Sequence, residues 1–200
     1  MRVLHAIFAA LVLPLALTVS AQPSAQRIRG DVVDVDGQKL TVKTRSGELV
    51  RIVLGDQYTV TAIVKVEPSA IAPGKFVGTA TLPQPDGTQR ALEVLVFPES
   101  ARGNGEGHYA WDLLPGSMMT NATVADVVDV DKARRMTLRY KDGEQTVVVP
   151  ANAPVVTFEP GTRDMLRAGA HVMLGATVQP DGSLTATRVS VGKDGLVPPM

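Results

Sequence analysis

The amino-acid sequence predicts an all-β protein built as two small five-stranded barrels in tandem, each with at most one short helix. Three observations carry that prediction. One order of landmarks occurs twice, β-branched residues alternate with polar ones, and Asp-Gly or Ser-Gly pairs separate the runs.

The repeat comes first, because self-similarity decides how every other feature is read. Asp31-Val32-Val33-Asp34-Val35-Asp36 returns as Asp126-Val127-Val128-Asp129-Val130-Asp131. Leu40-Thr41-Val42-Lys43 matches Met136-Thr137-Leu138-Arg139, and Gly47-Glu48 matches Gly143-Glu144. Ile71 to Gly74 matches Leu166 to Gly169, and Pro85-Asp86-Gly87 matches Pro180-Asp181-Gly182. The unit is too long and too few in number for a solenoid, so it reads as a duplicated domain. Residues 30–98 form the first copy and 121–193 the second.

In the first copy the strands are expected at Gly30–Val35, Lys39–Thr44, Leu49–Leu54, Lys75–Leu82 and Ala91–Phe97. In the second they fall at Thr123–Val130, Arg135–Lys141, Glu144–Val149, His171–Gln179 and Ser183–Val191. Runs such as Thr146 to Val149 suit a pleated, half-buried surface better than a helix. Asp36-Gly37, Asp86-Gly87, Asp142-Gly143 and Asp181-Gly182 tolerate the positive φ that tight hairpins require. Between the third and fourth strands both copies break pattern. Thr162 can cap a short helix that Gly169 stops, whereas Pro68 and Pro73 leave room for only a turn. Three strands, a short helix and two strands is the order of an OB-like barrel. An open sandwich is the alternative.

Gly30, Asp36-Gly37, Leu40, Val42, Gly47, Gly74 and Asp86-Gly87 together resemble an exported bacterial domain family that has no assigned function. The resemblance covers both copies and implies tandem OB-like β-barrels. Its motifs are turns and core positions, so it assigns no catalytic residue.

The first 21 residues read as an export signal. Arg2 precedes the apolar run Ala6–Leu17, and Val19-Ser20-Ala21 offers the small residues that signal peptidase requires, with cleavage before Gln22. That run is too short to span a bilayer, and no other segment of the mature chain is apolar enough. A periplasmic or secreted protein is therefore expected, with residues 22–29 as a lead-in and 194–200 as a tail. The chain has no Cys, which excludes disulfides and thiolate chemistry. Lys+Arg and Asp+Glu are equal at 20 each, without a basic cluster, so no nucleic-acid partner is expected.

Residues 99–120 lie outside both copies. Gly103, Gly105 and Gly107 suggest a flexible connection. Yet the segment also holds Trp111, the only Trp of the chain, beside Tyr109. The plain expectation is that these aromatics pack the segment against the barrels. The sharper one is a ligand or partner site at Tyr109, Trp111, Glu106 and Arg102, for an envelope protein, peptide or saccharide. An alternative set, His108, Asp112, Met118 and Met119, offers imidazole, carboxylate and thioether groups that suit copper or another divalent metal. Asn121-Ala122-Thr123 matches a glycosylation sequon.

Signatures of catalysis are missing. Pro115-Gly116-Ser117-Met118 does not meet the nucleophile elbow, and no zinc-protease or phosphate-loop motif occurs. His171 falls in a strand. Asp34 and Asp36, like Asp129 and Asp131, sit beside turns that explain them. The expectation is a non-enzymatic periplasmic binding or accessory protein without a cofactor, with a site in the connecting segment. Metal handling is the alternative.

Overall fold

The computed structural model describes residues 25–130 and 133–200. Thirteen strands follow in chain order. They are β1 (Ala25–Asp36), β2 (Lys39–Thr44), β3 (Leu49–Lys65), β4 (Phe76–Pro83), β5 (Gln89–Ala91), β6 (Val94–Val96) and β7 (Gly107–Ala110). Then come β8 (Met118–Val130), β9 (Ala133–Tyr140), β10 (Gly143–Pro150), β11 (Val155–Pro160), β12 (His171–Val178) and β13 (Leu184–Gly192). Single 3₁₀ turns cover Pro68–Ala70 and Arg163–Met165.

β1, β2 and β3 form an antiparallel meander. The strands that close it are not the next ones in the chain. β12 lies antiparallel to β1, with Ile28 opposite Leu174. β13 pairs with β12 and runs parallel to β3, with Ala186 opposite Leu54. These five strands make one closed barrel. Alternation sends Ile28, Val32, Leu40, Val42, Ile52, Leu54, Leu174 and Val189 into one apolar interior. Gly30 is required where β1 crosses β2, because a Cβ there would lie 2.0 Å from the Lys43 carbonyl oxygen.

The remaining strands attach to this barrel. β11 runs antiparallel to the end of β3, with Ile63 opposite Phe158 at the middle of the pairing. β6 runs parallel to β11 and pairs with β4. β4 pairs with β5 and β8, β8 with β9, β9 with β10, and β10 runs parallel to β5. β7 adds to the edge of β8. Their inner faces share a second core that includes Val77, Ala122, Met136, Leu138 and Val147. A third, smaller cluster of Ile63, Leu95, Val156 and Met200 joins the two sets, with Phe97 and Phe158 packed against it.

The expected fold is met in part. The chain is all-β and contains a closed five-stranded barrel, but that barrel draws three strands from the first copy and two from the second. The physical reason lies in β3. It runs on for 17 residues, which is about 55 Å at a strand's rise. Its last residues pair with β11 of the other copy, so the chain leaves the barrel before β4 begins. The inner faces of β4 and β12 are similar enough that sequence pattern does not choose between them.

Further corrections concern register and the bounds of elements. Each copy carries a β-bulge, between Val32 and Asp34 in one and between Val124 and Asp126 in the other. Structural counterparts are therefore Val32 and Val124, whereas the matching hexapeptides set Val32 against Val127. Beyond the bulge, three residue pairs join β1 to β2 and five join β8 to β9. The expected helix after Thr162 is one 3₁₀ turn, and Thr162 makes no side-chain capping bond. The signal segment 1–21 lies outside the described residues, and residues 25–29 of the expected lead-in begin β1. Among the described residues no helix is long and apolar enough to cross a membrane.

Candidate functional site

The connecting segment is tied down on both sides. Arg102 donates to the Gly74 carbonyl oxygen at 2.8 Å and pairs with Glu99. Glu106 accepts the Lys141 backbone N–H at 3.0 Å, closing the β9–β10 hairpin. β7 places His108 opposite Thr120 and Tyr109 opposite Met119. The Trp111 ring packs edge-on to Tyr109, with ring centroids 6.1 Å apart, and the Arg27 guanidinium lies 3.8 Å from its centroid. Arg29 donates twice to Asp112, at 2.7 and 3.2 Å, and once to the Met200 carbonyl oxygen at 2.7 Å. Arg29 holds the Asp112 carboxyl below its ordinary range, chiefly by these hydrogen bonds. Trp111, Asp112 and Arg102 thus fasten the segment to the strands around it.

The residues of the metal set do not converge. His108 and Met118 lie on the face that carries Thr120. Met119 lies on the opposite face and is buried. Both Asp112 oxygens are taken by Arg29. Among the described residues no three of His, Asp or Glu gather closely enough to hold an ion. Asn121 of the sequon is buried, and its amide donates to the Asn104 carbonyl oxygen and the Tyr109 hydroxyl.

Sequence reasoning did not single out the polar residues behind β7. Every buried polar or charged side chain among the described residues falls between Thr79 and Asn121. Thr79, Thr81 and Thr120 face inward with Val77 and Ala122, as the β4–β8 register requires. Thr81 donates to Gln89 Oε1 at 2.9 Å, and Thr79 donates to the Glu93 carbonyl oxygen at 2.5 Å. His108 Nδ1 lies 2.8 Å from Thr120 Oγ1, and its ring stacks on Tyr140 with centroids 6.4 Å apart. Gln145 reaches the Tyr140 hydroxyl at 3.4 Å. Burial lowers the pKa of His108, which favours the neutral imidazole.

The closed barrel shows what the same positions look like when they serve packing alone. Its counterparts of Thr79, Thr120, Gln89 and Gln145 are Leu174, Ile28, Leu184 and Val50. Ala176 stands where the attached strands have Thr81. Replacing a buried Leu or Ile by Thr gives up about 1–2 kcal/mol of apolar burial. The polar set is therefore not a requirement of the scaffold. A comparison of the two halves in their structural register would have revealed it in the sequence, but the hexapeptide match sets β8 three residues out of step.

Glu93 stands apart. Its side chain is fully buried, Oε1 accepts the Ala80 N–H at 2.8 Å, and Oε2 has no partner among the described residues. Burial pushes its pKa up to about 8, against the opposing pull of that hydrogen bond. The carboxyl replaces a ladder acceptor where the chain breaks between β5 and β6. Its counterpart in β13 is Arg188, which is exposed beside a similar break.

Comparison with protein-family models, with curated proteins and with solved structures finds no match for this chain.

Proposed function

We propose that this chain is an exported, non-enzymatic binding protein, and that its site is the polar end of the attached strands beneath β7. The observation that supports this is the asymmetry between the halves. Thr79, Thr81, Gln89, Thr120 and Gln145 occupy positions that the closed barrel fills with apolar side chains. His108 and Tyr140 lie over the same end. Neutral hydroxyls, amides and an unprotonated imidazole suit a ligand rich in hydrogen-bonding groups, such as a peptide or a saccharide, better than an ion. Residues Tyr109, Trp111, Glu106 and Arg102 then hold the segment that covers the site. On this reading the attached strands are a second OB-like barrel, ordered as the first is, and the protein works in the periplasm or outside the cell.

Grafting the closed barrel's residues tests the reading. The variant carries Thr79→Leu, Thr81→Ala, Gln89→Leu and Thr120→Ile. Wild type and variant are titrated with panels of short peptides and oligosaccharides. Trp111 fluorescence and the His108 ring signals in NMR report binding. The variant is expected to melt at or above the wild-type temperature and to lose binding by at least tenfold. A ligand bound equally well by both proteins would show that the site lies elsewhere.

A further inference from the structure

We infer that the surface joining the two halves is also an interface this chain can make with a second copy of itself, by reciprocal exchange of halves. The pairings that complete each strand set run between the copies. β12 meets β1, β13 meets β3, β8 meets β4 and β5 meets β10. They are related in pairs about the Ile63–Phe158 position, where β3 and β11 run antiparallel through matched residues. Each half therefore offers its partner the surface that the partner offers in return, which is the arrangement of a two-fold dimer.

One connection alone makes this association intramolecular. It leaves β6 at Val96 and re-enters at Gly107. These ends are separated by β4 and β8 in the order β6–β4–β8–β7. That is three strand spacings, about 14 Å. Residues 102–106 of the connection are exposed, and Gly103 and Gly105 have positive φ. With the connection intact, the half in the same chain is present at an effective concentration in the millimolar range, and the monomer prevails. Shortening the connection removes that advantage without removing a strand. Two such shortened chains then complete each other's strand sets.

The test deletes Ser100–Glu106. Three residues remain between Val96 and Gly107 and reach about 14 Å when fully extended, with no slack to pass over β4 and β8. Light scattering on a sizing column is expected to show a doubled mass with an unchanged far-ultraviolet spectrum. A folded monomer would overturn the inference. If the variant does not fold, the full chain with a protease site inserted between Gly103 and Asn104 decides. After cleavage the two pieces are expected to remain together. When isotope-labelled and unlabelled samples are mixed and refolded from urea, the pieces are expected to exchange partners, giving mixed masses in native mass spectrometry. Pieces that separate on the column, or fail to re-form the complex, would overturn it.

Discussion

Glu93 makes stability depend on pH in a direction that few carboxylates produce. In the unfolded chain its carboxyl loses its proton near 4.5, whereas in the folded protein burial holds the proton until about pH 8. Between those values the folded state binds the additional proton, so stability falls as pH rises through the interval. Below about 4.5 the contribution is fully present, and above about 8 it is lost. At about 1.4 kcal/mol per pH unit, the interval corresponds to a loss on the order of 4–5 kcal/mol, a large share of a domain's total stability. Glu93→Gln keeps an oxygen for the Ala80 N–H and cannot ionise. Urea unfolding of both proteins, followed by Trp111 fluorescence at pH 5 and at pH 8.5, isolates the effect, because all other titrations are common to the two. The difference in stability is expected to shift toward the Gln variant by about 4 kcal/mol from the lower pH to the higher. Parallel pH dependences would refute the reasoning, and would mean that water or a rearranged side chain solvates the carboxylate.

Other perturbations follow from the same structure. Gly30→Ala places a methyl group against the Lys43 carbonyl oxygen and is expected to cost about 3 kcal/mol or more; an unchanged thermal midpoint would contradict the close crossing of β1 and β2. Arg29→Ala removes the partner of Asp112 and the donor to Met200, and is expected to cost about 1–3 kcal/mol in chemical denaturation. The same variant removes the largest cause that holds the Asp112 carboxyl low and moves it toward its ordinary range, with Arg27 still beside it. Since a depressed carboxyl pKa adds stability that is lost as pH falls, the acid limb below about pH 4 is expected to become shallower than in wild type. Ile63→Ala hollows the small cluster that joins the strand sets and is expected to cost 2–5 kcal/mol, roughly, in a single cooperative transition; two separated transitions would show that the sets unfold independently.

Much of the scaffold was legible in the sequence because it rests on local chemistry. Val42 and Leu138 mark inner faces by alternation, and Gly87 and Gly182 mark hairpins because their φ is positive. The partner of each strand was not legible in that way. Leu174 and Thr79 both stand in alternating runs, and nothing within either run says whether Ile28 or Thr120 lies opposite. That choice is made by the length of β3, which continues through Gly55-Asp56, a pair with turn chemistry, beyond the expected end at Leu54. The connecting segment was legible as a place outside the repeat. The polar end beneath it was not, since Thr79, Thr81 and Thr120 are ordinary strand residues until their counterparts in the closed barrel are known. β7 was missed because His108 to Ala110 is a short strand that exists only on the edge of β8.

The interleaving of the two copies underlies the fold and the proposed site, and one contact tests it directly. In a spectrum of through-space proton couplings, Thr79 on β4 is expected to couple to Thr120 on β8, as Leu174 does to Ile28. If each copy closed on itself, Thr79 would couple instead to Ile28, and that observation would contradict the account.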